Sequence, residues 1–107
     1  RLNWRVTQIG GQAVTSASAP TAPSLRFDAQ EPRVSGNSSC NGFSGSYGLQ
    51  GDRIQFGPAA ATKRACAHSV ETEFFGALNA VRSLRHSGAQ LQLLDAGGRA
   101  VLTLTRD

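Results

Sequence analysis

Two cysteines, 26 positions apart in a chain of 107 residues, constrain what this sequence can fold into more than any other feature. Cys40 sits in Gly-Asn-Ser-Ser-Cys-Asn-Gly, residues 36–42, and Cys66 closes Thr-Lys-Arg-Ala-Cys, residues 62–66. Without the paired spacing of a zinc site, such cysteines are expected to bond to each other, and a disulfide implies an oxidising compartment. Two other uses of the sulfurs stay open at this point. One is a metal site with His68 and His86, for which Cys66-Ala-His68 is the one close pair, and the other is a reactive thiol. A chain of this length is expected to be a single domain, residues 1–107, with a modest core. On the loop-entropy account a link between these positions constrains the unfolded chain by roughly 3.5 kcal/mol. A domain's net stability is about 5–15 kcal/mol, so the link would supply a large share of it.

The formal charge of +4 comes from 11 basic residues, of which only Lys63 is lysine, against 7 acids. The cations are scattered along the chain, and Lys63-Arg64 is their longest run. Nucleic-acid surfaces cluster cations between stacking aromatics, so no nucleic-acid partner is expected. No apolar stretch approaches the about 20 residues a membrane-spanning helix needs. Asn37-Ser-Ser fits a glycosylation acceptor, a pattern common by chance.

Leu2, Trp4 and Val6 alternate, then Ile9 falls out of phase, which predicts a strand with a bulge near Gln8 and a tight turn at Gly10-Gly11. Residues 12–14 read as a returning strand. The Ser/Ala/Pro stretch 15–24 reads as a long surface loop. Further strands are predicted at residues 25–27, at 33–36 after a turn at Glu31-Pro32, and at 53–56, ended by Gly57-Pro58. Between them, glycines 36, 42, 45, 48 and 51 loosen the backbone, and Phe43 and Tyr47 are the side chains expected to tie that stretch to the core. Val70, Phe74, Leu78 and Val81 recur at helical spacing, predicting an amphipathic helix over residues 69–84. Ser69 is its expected N-cap, Glu71 and Glu73 suit its positive end, and Arg82, Arg85 and His86 suit its negative end. Residues 90–93 and 100–105 flank Asp95-Ala-Gly-Gly98 as a closing hairpin, with Leu91 and Leu93 facing the core opposite Leu102 and Leu104. Some seven short strands and one helix make a mainly β fold. The expected form is a small antiparallel barrel or strongly bent sheet with the helix packed over one end.

For catalysis, Gly42-Phe-Ser-Gly lacks the spacing of a nucleophile elbow. Glu71 and Glu73, two apart on a helix, point to different faces and do not suit shared acid–base work. No enzymatic activity, metal or cofactor is expected. Asn41 and Thr62 are expected to bond backbone groups in turns. The candidate recognition surfaces are residues 15–24, residues 37–46, and the Lys63-Arg64 pair.

The ordered set of Trp4, Leu25-x-Phe27, Gly36, Cys40-Asn41 with Phe43, Gly45-Ser-Tyr47, Ile54-x-Phe56, Thr62-x-x-Ala-Cys66 and the final Leu-x-Leu hairpin resembles the META domain of the HslJ-like family. The likeness spans nearly the whole chain. The family usually has Gly-Cys-Asn where Ser39 precedes Cys40 here, and often Met where Arg64 stands. The resemblance implies a lipocalin-topology barrel with a packed helix, and structural motif roles for Trp4, Gly36, Asn41, Phe43, Gly45, Tyr47 and Thr62. It further implies a monomeric, non-enzymatic domain of the bacterial periplasm, held at the outer membrane only by a lipid on a segment outside these residues. Its expected role lies in stress tolerance or envelope maintenance, or, as in relatives, novobiocin resistance. Likeness to pilotin lipoproteins suggests chaperone-like binding of an envelope protein, peptide or acyl chain, with Lys63 and Arg64 as contact residues. A second reading is a protein inhibitor of a hydrolase such as lysozyme, although a net positive domain suits a basic enzyme poorly.

Overall fold

The computed structural model describes residues 3–107, so Leu2, the expected start of the first alternation, lies outside them. Nine strands and one helix follow in the order β1 (Asn3–Ile9), β2 (Gln12–Ala13), β3 (Ser24–Phe27), β4 (Arg33–Asn37), β5 (Gly42–Gln50), β6 (Arg53–Ala61), α1 (Glu71–Ala80), β7 (Ser83–Ser87), β8 (Gln90–Leu94) and β9 (Ala100–Arg106). All strands join one antiparallel sheet in the order β2-β1-β3-β4-β5-β6-β7-β8-β9, and β1 also pairs with β9. The result is a strongly bent sheet closed into a ring. Helix α1 packs against β6 on one side of the ring and against β9 and β1 on the other.

Alternation decides what faces inward. Trp4 and Val6 of β1, Leu25 of β3, Val34 of β4, Ile54 and Phe56 of β6, and Leu91 and Leu93 of β8 fill the interior. Leu91 stands opposite Leu104 and Leu93 opposite Leu102, the pairing expected of the closing hairpin. Phe74 and Leu78 of α1 complete the core, which leaves the interior filled by side chains. The bulge in β1 falls at Thr7, one residue from its expected place, because Val6 pairs with Leu104 and Gln8 with Thr103.

Three expectations are corrected. Strand β6 does not stop at Gly57-Pro58. Those two residues stand opposite Ser46 alone, since Tyr47 pairs with Phe56 and Gly45 with Ala59, so the missing proline N–H is absorbed by a bulge and the strand runs on to Ala61. The helix is shorter at both ends. It starts at Glu71 behind Val70, with the Ser69 hydroxyl accepting the Glu71 N–H at 3.2 Å rather than capping one residue further in. Its expected last turn is instead strand β7, carrying Arg85 and His86, because Val81 turns extended and is fully buried. Arg82 alone serves the helix end, donating to the Asn79 carbonyl at 3.0 Å. Residues 37–46 are mostly strand rather than loop, with only the turn 38–41 outside β4 and β5.

Candidate functional site

The turn between β4 and β5 is built from short polar side chains bonding their own backbone. The Asn37 Oδ1 accepts the Ser39 N–H, and the Ser38 Oγ accepts the N–H groups of Cys40 and Asn41. Ser39 sits at φ +90°, a region that favours glycine, which is the residue the resemblance would place there. From this turn Cys40 bonds Cys66 across a Cα–Cα distance of 5.9 Å. The bond removes both thiols from the metal and reactive-thiol alternatives. Among the described residues no group of three or more His, Cys, Asp or Glu side chains could hold a metal ion.

Beside the disulfide, Asn41 is 2% exposed and uses its whole carboxamide. Its Nδ2 donates to the Arg64 carbonyl at 3.1 Å and to the Glu71 carboxylate at 2.8 Å. Its Oδ1 accepts from the Thr62 hydroxyl at 2.8 Å and the Arg64 N–H at 2.7 Å. The Ser38 hydroxyl donates to the same Glu71 oxygen at 2.6 Å. These bonds hold the Glu71 carboxyl below its ordinary pKa, Ser38 contributing most and Asn41 next, while its small desolvation works the other way. One cluster therefore joins the β4–β5 turn, the segment 62–66 and the first residue of α1.

Of the expected motif residues, Asn41 and Thr62 belong to this cluster, and the others make their contacts elsewhere in the fold. Phe43 packs at a tilt on Phe74, with ring centroids 5.6 Å apart, and meets Phe75 edge-on at 5.3 Å, tying β5 to the helix. Tyr47 meets Phe27 edge-on at 5.1 Å. A side chain at Gly36 would overlap the Ser24 carbonyl, and one at Gly45 would press on the Pro58 carbonyl at 3.0 Å. Trp4 lies apart, with the edge of His86 at 5.6 Å and the Arg106 guanidinium over its ring at 5.9 Å. Arg64 is engaged through backbone and guanidinium, which donates to the Cys40 carbonyl at 2.8 Å. Lys63 beside it is exposed, with no side-chain partner among the described residues. Glu71 and Ser38 escaped the sequence reading as site residues because their contact spans 33 positions and no local pattern signals it.

The cluster stands at the end of an open strand edge. Thr62 donates its N–H to the Gly42 carbonyl at 3.1 Å, so by antiparallel alternation the backbone groups of Ala60 also face β5, and those of Ala59 and Ala61 face away. On that far side β7 pairs with β6 only at Arg53 and Ser83. Beyond it α1 faces the edge across a groove lined by Phe56, Pro58, Ala59 and Phe75, which continues past Lys63 to Thr72.

A small antiparallel sheet closed over one helix and stapled at its β4–β5 turn defines a class of compact β domains. The chain belongs to the META domain family, whose match extends over residues 1–107. Among solved structures it is similar to a protein from Burkholderia xenovorans determined by NMR, at 25% identity and a TM-score of 0.77, over 99% of this chain and 81% of the other. A second NMR structure matches at 23% identity and a TM-score of 0.73, over 97% and 87% of the two chains. A crystallised DUF4847 family protein from Bacteroides vulgatus shares 16% identity at a TM-score of 0.72, over 98% and 92%, and supports the fold alone. No curated protein matches the sequence.

Proposed function

We propose that this chain is a non-enzymatic recognition domain of the bacterial cell envelope that holds a protein segment during envelope maintenance or stress. The observation that carries the reading is the fate of the polar side chains beside the groove. Ser38, Asn41, Thr62 and Glu71 spend their hydrogen bonds on one another and on backbone, which makes a rigid frame rather than a set of free acids, bases or nucleophiles. The disulfide supports a location outside the reducing cytosol. Family membership supports the assignment to a META-type domain, and the filled interior favours a protein segment on the surface over an acyl chain inside the ring. The test is a pull-down of purified envelope proteins of defined identity on the immobilised domain, alongside titration with a fluorescent fatty acid and a lysozyme inhibition assay. Saturable binding of an envelope protein is expected. Absence of binding to any envelope protein, or inhibition of lysozyme at stoichiometric concentration, overturns the reading.

A further inference from the structure

We infer that the free edge of β6 at Ala59 and Ala61 is a docking strip for an extended acidic peptide, which adds to the sheet as an antiparallel strand with its acidic head against Lys63. The inference rests on the recognition reading above and names the surface and the chemistry of the occupant.

Three observations converge. First, the N–H and C=O groups of Ala59 and Ala61 point away from β5, and β7 has already left β6 after the Arg53–Ser83 pair. Main-chain groups that are unpaired among the described residues, as these are, are what strand addition uses for affinity. Second, the opposite wall of the groove is one face of α1, with Thr72, Phe75 and Asn79 at helical spacing. Phe75 is only partly covered by Phe43 and Phe74, and the alanines of the strip leave room for an occupant's side chains. Alternate residues of an added strand would meet the Phe75 ring. Third, the groove's end carries two cations against one carboxylate: Lys63 is exposed and Arg64 adjoins it, while Glu71, lining the same groove, remains an anion with its Oε2 held by Ser38 and Asn41. The chain as a whole carries +4, which attracts an acidic partner at long range. Every pairing in this sheet is antiparallel, and β6 runs toward Lys63. An added antiparallel strand therefore starts at Lys63, so its acids precede its apolar residues.

The probe is an eight-residue peptide of two glutamates followed by alternating valine and alanine, compared with the same peptide headed by two lysines. It is titrated into the full chain, disulfide intact, and followed by amide NMR and hydrogen exchange. The glutamate peptide is expected to shift and protect the amides of Ala59 and Ala61 and to bind about tenfold more tightly than the lysine peptide at low salt. Ala59→Pro removes an edge N–H that β5 does not use, a change edge strands tolerate, and is expected to weaken binding about tenfold or more. Lys63→Glu, on an exposed side chain, is expected to reverse the preference between the two peptides. Binding unchanged in both variants, or protection at other amides, overturns the strip. If it falls while the pull-down still returns an envelope protein, the recognition reading stands; if neither binds, both fall. A concentration-dependent dimer of the free chain that protects the same amides assigns the edge to a second copy and overturns the peptide.

Discussion

Replacing Asn41 by aspartate changes one nitrogen to oxygen and leaves the shape intact, so it isolates the donors of the cluster. The new side chain keeps its acceptors for Thr62 and Arg64 but loses the bonds to the Arg64 carbonyl at 3.1 Å and to Glu71 at 2.8 Å. A neutral hydrogen bond is worth about 1 kcal/mol and one to a charged group about 1.5–3, so the loss is about 3 kcal/mol before repulsion between two carboxylates is counted. With that repulsion, Asn41→Asp should cost about 3–4 kcal/mol at neutral pH and lower Tm by roughly 12–16 °C for a domain of this size. The pH dependence separates this account from a packing defect. In the parent, Glu71 has a lowered pKa, so its contribution is present above the ordinary value of 4.5 and is lost as pH falls through the lower folded value. In the variant the paired carboxyls have a raised pKa, so the penalty is full at neutral pH and shrinks as one of them takes up a proton. The two stability curves should therefore converge on acidification, while Asn41→Ala, which adds no charge, should run more nearly parallel to the parent. Urea unfolding by circular dichroism from pH 7 to pH 4 measures this. A cost below about 0.5 kcal/mol at pH 7, or a gap that does not narrow, would refute the argument.

Reducing the disulfide, or replacing both Cys40 and Cys66 by alanine, should lower unfolding stability by roughly 3.5 kcal/mol; a loss under about 1 kcal/mol in urea titration would show that the polar cluster alone confines the loop. Gly36→Ala should cost more than about 3 kcal/mol or prevent soluble accumulation, because its methyl group meets the Ser24 carbonyl of the neighbouring strand; a thermal midpoint near the parent's would contradict that packing. Ser39→Gly should stabilise by about 0.5–1 kcal/mol, since relief at φ +90° exceeds the loss of the long 3.4 Å bond to the Val70 N–H and the added chain entropy; any net destabilisation would count against the backbone assignment.

The elements legible in the sequence were those whose signals are local. Alternation at Leu91, Leu93, Leu102 and Leu104 located the closing hairpin to its register, and helical spacing at Phe74 and Leu78 located α1. Two features misled for physical reasons. Pro58 reads as a strand end because it cannot donate to a ladder, yet a bulge opposite Ser46 hides that defect and β6 continues. Val81 and Leu84 fit the helical period, yet Val81 enters the core as extended chain and Leu84 pairs with Leu93. The site divides in the same way. Cys40, Cys66, Asn41 and Thr62 were visible in their short signatures. Their meeting with Glu71 and Ser38 was not, because it depends on where the ring brings segments about 30 residues apart together.

The open edge of β6 follows from the same constraints that make the frame rigid. Glu71, held by Ser38 and Asn41, fixes the start of α1, and buried Val81 fixes its exit toward β7. The helix is thus kept across a groove from Ala59 and Ala61, and β7 cannot close over them because it joins β6 only at Arg53. A long free edge invites aggregation, but this one is short and bounded by two protective devices, the Pro58 bulge and the charge of Lys63. Because disulfide and hydrogen bonds have already ordered both walls, an incoming strand need not order the domain itself. On the docking proposal, a surface prepared this way would lose less entropy when a strand adds to it.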